Sequence, residues 1–146
     1  MTKILGISGS LRERSYNTAL LRAAVAEADA LLLATPEYNR GTSGVLKNAI
    51  DWLSRPALAS VLRWKPVAIM GASSGRGGTR RAQQQVRDAL LFPGAVVLEE
   101  PEVAVPIAWE RFDPDLNLTD ENAGAAVTEL LTGLVELAHQ HHPVAA

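Results

Sequence analysis

A chain of 146 residues carries one domain's worth of sequence, enough for a single hydrophobic core and too short for two. Its apolar fraction of 47%, charged fraction of 21% and net charge of -2 lie near globular averages and leave no electrostatic footprint for nucleic acid or an anionic membrane. With no cysteine, disulfides, thiolate metal sites and thiol chemistry are excluded, so any redox activity needs a cofactor.

Apolar runs and helical patterns alternate along the chain, as expected of a layered α/β fold with a parallel sheet. Lys3 to Ile7 (KILGI) reads as a first strand that breaks into Ser8-Gly9-Ser10. Its entry without a charged, hydrophobic and cleavable leader gives the expectation of a cytoplasmic location. Asn17 to Glu27 is rich in Ala and Leu and reads as a helix. Ala30 to Thr35 (ALLLAT) is apolar without interruption, as a strand covered on both faces should be, and is far too short to span a bilayer. Pro36 ends it.

Ser43 to Ser54 repeats Leu46, Ala49, Ile50 and Leu53 at the spacing of one helix face, with Ser43 as N-cap. Pro66 to Gly71 predicts a buried strand, Gly77 to Leu91 a glycine-opened helix, and Ala95 to Leu98 a further strand. Pro101 to Pro114 reads as irregular. A closing helix carries Val127, Leu130, Leu131, Leu134 and Leu137 on one side and ends near His141. There is no repeat and no linker, so residues 1–146 are expected to form one domain.

In sheets of this kind, ligands settle where loops leave the carboxyl ends of the strands. The first such loop places Ser8, Ser10, Arg12, Arg14, Ser15, Asn17 and Thr18 ahead of a helix N-terminus, where free amides and the helix dipole suit a phosphate. Ser15 and Asn17 read equally well as simple helix caps. The loop fits neither GxxxxGK[ST] nor GxGxxG, which disfavours a nucleoside triphosphatase or a standard dinucleotide fold. His139, His141 and His142 sit at a helix end, where histidine suits the dipole, and are not taken as a metal cluster. Ser73, Ser74 and Gly75 do not meet G-x-S-x-G, and the histidines all lie in one terminal group, so serine hydrolysis is not expected.

The second loop, Thr35-Pro36-Glu37-Tyr38-Asn39, runs through Gly41 into GVLKNAIDW, and the third is GASSGRGG. With GSLRERSYN in the first loop, this combination resembles the NADPH-dependent FMN reductase family of flavin, quinone and chromate reductases, over nearly the whole chain. The resemblance implies a flavodoxin-like three-layer sandwich that binds FMN and takes hydride from NADPH or NADH. Ser10, Arg12, Ser15, Asn17 and Thr18 would hold the FMN phosphate. Pro36, Glu37, Tyr38 and Asn39 would run along the ring and ribityl chain, and Ser73, Ser74, Gly75 and Gly78 would bring backbone to the far side of the ring. Reduced flavin carries negative charge near N1 and O2, which glycine-loop amides can meet. Glu37 is expected to accept hydrogen bonds rather than act as an acid, since hydride transfer to N5 needs none. Tyr38 is read as a flavin contact, with a subunit interface as the alternative.

The implied function is an FMN-dependent oxidoreductase that passes electrons to a quinone, flavin or other small oxidant; the alternative is an FMN-binding electron carrier without turnover. Arg76, Arg80 and Arg81 could hold the extra phosphate of NADPH or form a solvated helix face. Val45 and Trp52 form a second apolar stripe, which suggests a homodimer or tetramer.

The sequence departs from the family in one place. The family's strand order is 2-1-3-4-5, and here the second strand and second helix are missing between about Ala24 and Asp29. A loss of roughly forty residues there, with the first helix kept on its family face, would demand a left-handed crossover, which is rare. Either a segment lies outside this numbering, or the chain avoids that hand by melting the helix end, moving the helix to the other face, or exchanging it between subunits.

Overall fold

The computed structural model describes residues 4–5, 25 and 28–141. Alternating side chains in two apolar runs set the layers. In β2 (Ala30–Ala34) Leu31 and Leu33 point to one face and Ala30 and Leu32 to the other. In β3 (Pro66–Ala72) Val67 and Ile69 share the first face, and Ala68 and Met70 the second. Strands apolar on both sides must be covered on both sides, which is the condition of a parallel sheet between helix layers. All pairings are parallel: β1 (Ile4–Leu5) beside β2, β2 beside β3, and β3 beside both β4 (Val96–Val97) and β5 (Val103–Val105).

β4 and β5 are two pieces of one edge position. β4 pairs with Pro66 and Val67 at the start of β3, and β5 with Met70 to Ala72 at its end. The stretch expected to be irregular from Pro101 to Pro114 therefore contains a strand. Three valine and alanine residues gave too short a run to register against flanking prolines.

N-cap side chains meet free backbone groups at the starts of two of the described helices. In α1 (Gly44–Leu53) the Ser43 hydroxyl accepts from the Leu46 amide at 3.3 Å, and Ala49, Ile50 and Leu53 are buried. α2 (Arg80–Leu91) buries Ala82, Gln83, Val86 and Leu90. In α3 (Glu121–Gln140) the Asp120 carboxylate accepts from the Ala123 amide at 2.8 Å, and Leu130, Leu134 and Ala138 form the buried line. Leu131 and Leu137, expected on that line, are only half-buried. Helices α1 and α2 cover one face of the sheet with Leu31, Leu33, Val67 and Ile69, and α3 covers the other with Ala68, Val103 and Val105.

Only the end of the β1–β2 connection lies among the described residues. Val25, helical and buried, and Ala28 lie in the core shared with α1 and α2, not under α3. Strand order advances steadily from β1 to β3. The described end of the connection thus lies on the same face as the β2–α1–β3 and β3–α2–β4 crossovers. Which escape from a left-handed crossover the chain takes falls on residues outside those described. Ala28 is held by the Lys65 ammonium, which donates to its carbonyl. Burial lowers the Lys65 pKa, against an opposing pull from Asp29. The rest of the expected helix from Asn17 to Glu27 lies outside the described residues.

Candidate functional site

The register Ala34↔Met70 brings the carboxyl ends of β2 and β3 side by side, so the loops that follow them leave the sheet as neighbours. The first turns back at once. Tyr38 and Gly41 exchange backbone hydrogen bonds at 2.9 Å in both directions, with Asn39 at φ 51 and Arg40 at φ 64 between them. Positive φ at both central residues is the geometry of a primed two-residue turn, which Asn tolerates and Arg occupies at some cost. Tyr38 is carried outward, 64% exposed. Below the turn the Thr35 hydroxyl meets the Pro36 carbonyl and the Thr42 hydroxyl, at 2.9 and 3.0 Å.

Glu37 points the other way. Its Oε2 accepts from the amides of Arg81 at 3.1 Å and Ala82 at 3.3 Å, and its Oε1 lies 3.8 Å from the Arg81 guanidinium. Thr79, at the N-cap position of α2, makes no side-chain cap, so the carboxylate meets two donors the helix leaves open. From α2, Gln85 Oε1 in turn accepts from the Thr42 amide at 3.0 Å. No sequence signal marks the Gln85–Thr42 pair, since only the tertiary approach of α2 to this loop brings them together.

In the second loop the glycines divide into two kinds. A Cβ at Gly71 would lie 2.3 Å from the Thr35 carbonyl oxygen, and at Gly78, with φ 61, 2.5 Å from the Ala104 carbonyl oxygen; both are demanded by packing. A Cβ at Gly77 would meet nothing within 4 Å, and one at Gly75 only the Ser73 hydroxyl at 3.6 Å. Ser73 is a pin: its amide donates to Val105, its carbonyl accepts from Ala108, and its hydroxyl accepts from the Gly75 amide at 3.1 Å. The exposed amides of Ser74, Arg76 and Gly77 make no hydrogen bond among the described residues. A flat group with acceptor atoms along one edge fits this surface, which offers open glycine backbone and unused donors beside the Pro36–Gly41 turn.

The structure thus brings together Pro36, Glu37, Tyr38 and Asn39 with Ser73, Ser74, Gly75 and Gly78. Ser10, Arg12, Ser15, Asn17 and Thr18 lie outside the described residues. The expected basic patch is smaller than its sequence: Arg80 pairs with Glu102 at 2.7 Å and Arg81 faces Glu37, while Arg76 has no acidic partner among the described residues. No group of three or more metal-ligating side chains occurs among the described residues, and no described helix is long and apolar enough to cross a membrane.

Residues 18–110 match the family described as NADPH-dependent FMN reductase. An NAD(P)H-dependent FMN reductase of Pseudomonas aeruginosa is 39% identical, in an alignment covering 90% of this chain and 92% of that protein. A 2-hydroxy-1,4-benzoquinone reductase of a Burkholderia species is 44% identical over 67% of this chain and 54% of its own length. Among solved structures, the flavoenzyme NAD(P)H:acceptor oxidoreductase FerB of Paracoccus denitrificans superposes with a TM-score of 0.78 at 32% identity, over 88% of this chain and 71% of that one. The Pseudomonas alignment runs over 172 positions but takes in 90% of 146 residues, so about forty positions lack a counterpart here, the size of deficit expected before β2.

Proposed function

This chain belongs to the NADPH-dependent FMN reductase family, and on that premise we propose that the loop edge above β2 and β3 seats FMN and serves the reduction of quinones or free flavins by NADPH or NADH. The observation that carries the reading is the pairing of the Pro36–Gly41 turn with an open glycine backbone, at Gly75 and Gly77, on adjacent parallel strands. When bound, FMN supplies the chemistry, accepting two electrons as hydride and releasing them to an oxidant.

The chain's own part is to hold, orient and screen. Backbone of Pro36 to Asn39 lies along one side of the ring site, and the amides of Ser74, Arg76 and Gly77 provide donors where negative charge gathers on reduction. Ser10, Arg12, Ser15, Asn17 and Thr18 are assigned to the phosphate on the strength of the GSLRERSYN motif. Arg76, with no acidic partner among the described residues, is assigned to the additional phosphate of NADPH. Tyr38, well exposed at the turn, covers the ring or meets a second subunit. The half-buried Trp52 and exposed Val45 on α1 mark the face for self-association into a dimer or tetramer. The cytoplasm is the assigned compartment.

The absorbance spectrum of the purified protein is the first test, followed by NADPH oxidation with and without added FMN and benzoquinone. Flavin absorbance with quinone-dependent turnover is expected. Flavin binding without turnover would favour an electron carrier, and no flavin binding would overturn the reading.

A further inference from the structure

The acidic residue of the TPEYN motif does not face the open edge. The Glu37 side chain is only 12% exposed, with Oε2 shared by two amides of the first turn of α2 and Oε1 turned to Arg81. A carboxylate so engaged has its charge met by the helix N-terminus and its oxygens taken up by donors of α2. Its contacts are mechanical. They join the turn after β2 to the helix that directly follows the glycine loop, which are the two segments on either side of the ring site. Gln85 makes the return contact from α2 to Thr42 at 3.0 Å, and a side chain at Gly41 would strike that Gln85 oxygen at 2.8 Å. The turn is thus clamped to α2 from both directions.

Resting on the FMN reading of this edge, we propose that Glu37 is a positioning residue: it sets the gap between the Pro36–Gly41 turn and the glycine loop, and so fixes how the flavin ring is held. It acts through the α2 amides and not on the ring itself. The amide oxygen of glutamine can accept the same two bonds, whereas alanine cannot, so Glu37→Gln and Glu37→Ala separate geometry from charge.

The test is titration of flavin-stripped protein with FMN, followed by fluorescence quenching, with visible circular dichroism of the bound flavin and the melting temperature of the stripped protein measured in parallel. Glu37→Ala is expected to weaken FMN binding about tenfold, the scale of lost hydrogen bonds to a charged group, and to change the flavin dichroism. Glu37→Gln is expected to restore most of both. If Glu37→Ala does not fold, Gln85→Ala removes the return contact and should shift affinity and dichroism in the same direction by less. Unchanged affinity and dichroism in the variants, even with a lower melting temperature, would overturn the proposal by leaving Glu37 a mere stabiliser of α2. Equal losses in Glu37→Gln and Glu37→Ala would overturn it in favour of a role for the charge. A parent protein that binds no FMN would remove the proposal together with the reading it rests on.

Discussion

Gly71 and Gly77 both precede α2, yet an added methyl group meets opposite surroundings at the two. At Gly71 it would press on the Thr35 carbonyl and on Thr79 Oγ1, at 2.3 and 2.4 Å, and neither can retreat without disturbing β2 or the start of α2. Gly71→Ala is expected to cost about 1–3 kcal/mol as an overpacked substitution. At Gly77 there is open space and φ is not positive, so Gly77→Ala is expected to gain about 0.4–1 kcal/mol by restricting the unfolded chain. Urea midpoints will distinguish them. FMN affinity should fall in Gly77→Ala if the proposed ring site lies there, because the methyl group would enter it, so stability and affinity would move apart. Asp120 gives a prediction in pH. The Ala123 amide, followed by Arg111 at 2.6 Å, holds its carboxyl below the usual carboxylate range. A depressed folded value means that its contribution is present above the unfolded pKa of about 3.9 and is lost as pH falls through the folded value. The melting-temperature advantage of the parent over Asp120→Asn should therefore be full near neutrality and shrink as the solution is acidified through about pH 4.

Among the elements, α2 holds the broken edge of the sheet. Gln83 Nε2 donates to the Val103 carbonyl and the Thr79 hydroxyl, each at 2.9 Å, so the start of β5 is tied to the first turns of the helix. One turn later Arg87 donates to the carbonyls of Leu98 and Glu99, at 2.7 and 3.3 Å, within the interruption between β4 and β5. Carbonyls that the interrupted ladder leaves open thus find donors on a helix, as buried backbone must. Gln83 Oε1 is buried without a partner among the described residues, which offsets part of what its Nε2 contributes. Gln83→Leu removes that orphan but leaves the Val103 carbonyl without its Gln83 donor, and is expected to cost about 1–3 kcal/mol. Amide exchange should quicken around Val103 to Val105 and much less in β2, which hydrogen-exchange mass spectrometry can resolve.

For the molecule as a whole, FMN should act as a folding ligand, because its proposed site is assembled from loops that are neighbours only in the folded sheet. At a concentration one hundred times its dissociation constant it should add about 2.7 kcal/mol. For a domain of this size that is on the order of 5–10 °C in melting temperature, readable by thermal fluorescence. Absence of any shift would argue against a site on this edge. Donor choice is tested at the same scale: Arg76→Glu should raise KM for NADPH severalfold while leaving KM for NADH nearly unchanged, and equal effects on both would remove Arg76 from the nucleotide site. Trp52→Asp should lower the mass seen by light scattering without unfolding the chain if α1 carries the self-association face.

Local pattern and contiguous motifs were enough for the parallel α/β class, the apolar runs from Ala30 to Thr35 and from Pro66 to Gly71, the cap at Ser43 and the family. The sequence also led to the expectation that a unit is absent before β2, where a first helix on its family face would demand a rare left-handed crossover. Where the end of the β1–β2 connection sits was decided by packing: Val25 and Ala28 find their apolar partners beneath α1 and α2, a relation between residues far apart in sequence. The same holds at the site. TPEYN and GASSGRGG announced two loops, but that Glu37 caps α2, that Arg80 and Arg81 are taken up by Glu102 and Glu37, and that Gly78 packs while Gly77 stands open depend on distances across the sheet edge. Side-chain hydrogen bonds between segments some twenty to forty-five residues apart leave no periodic trace for a sequence to reveal.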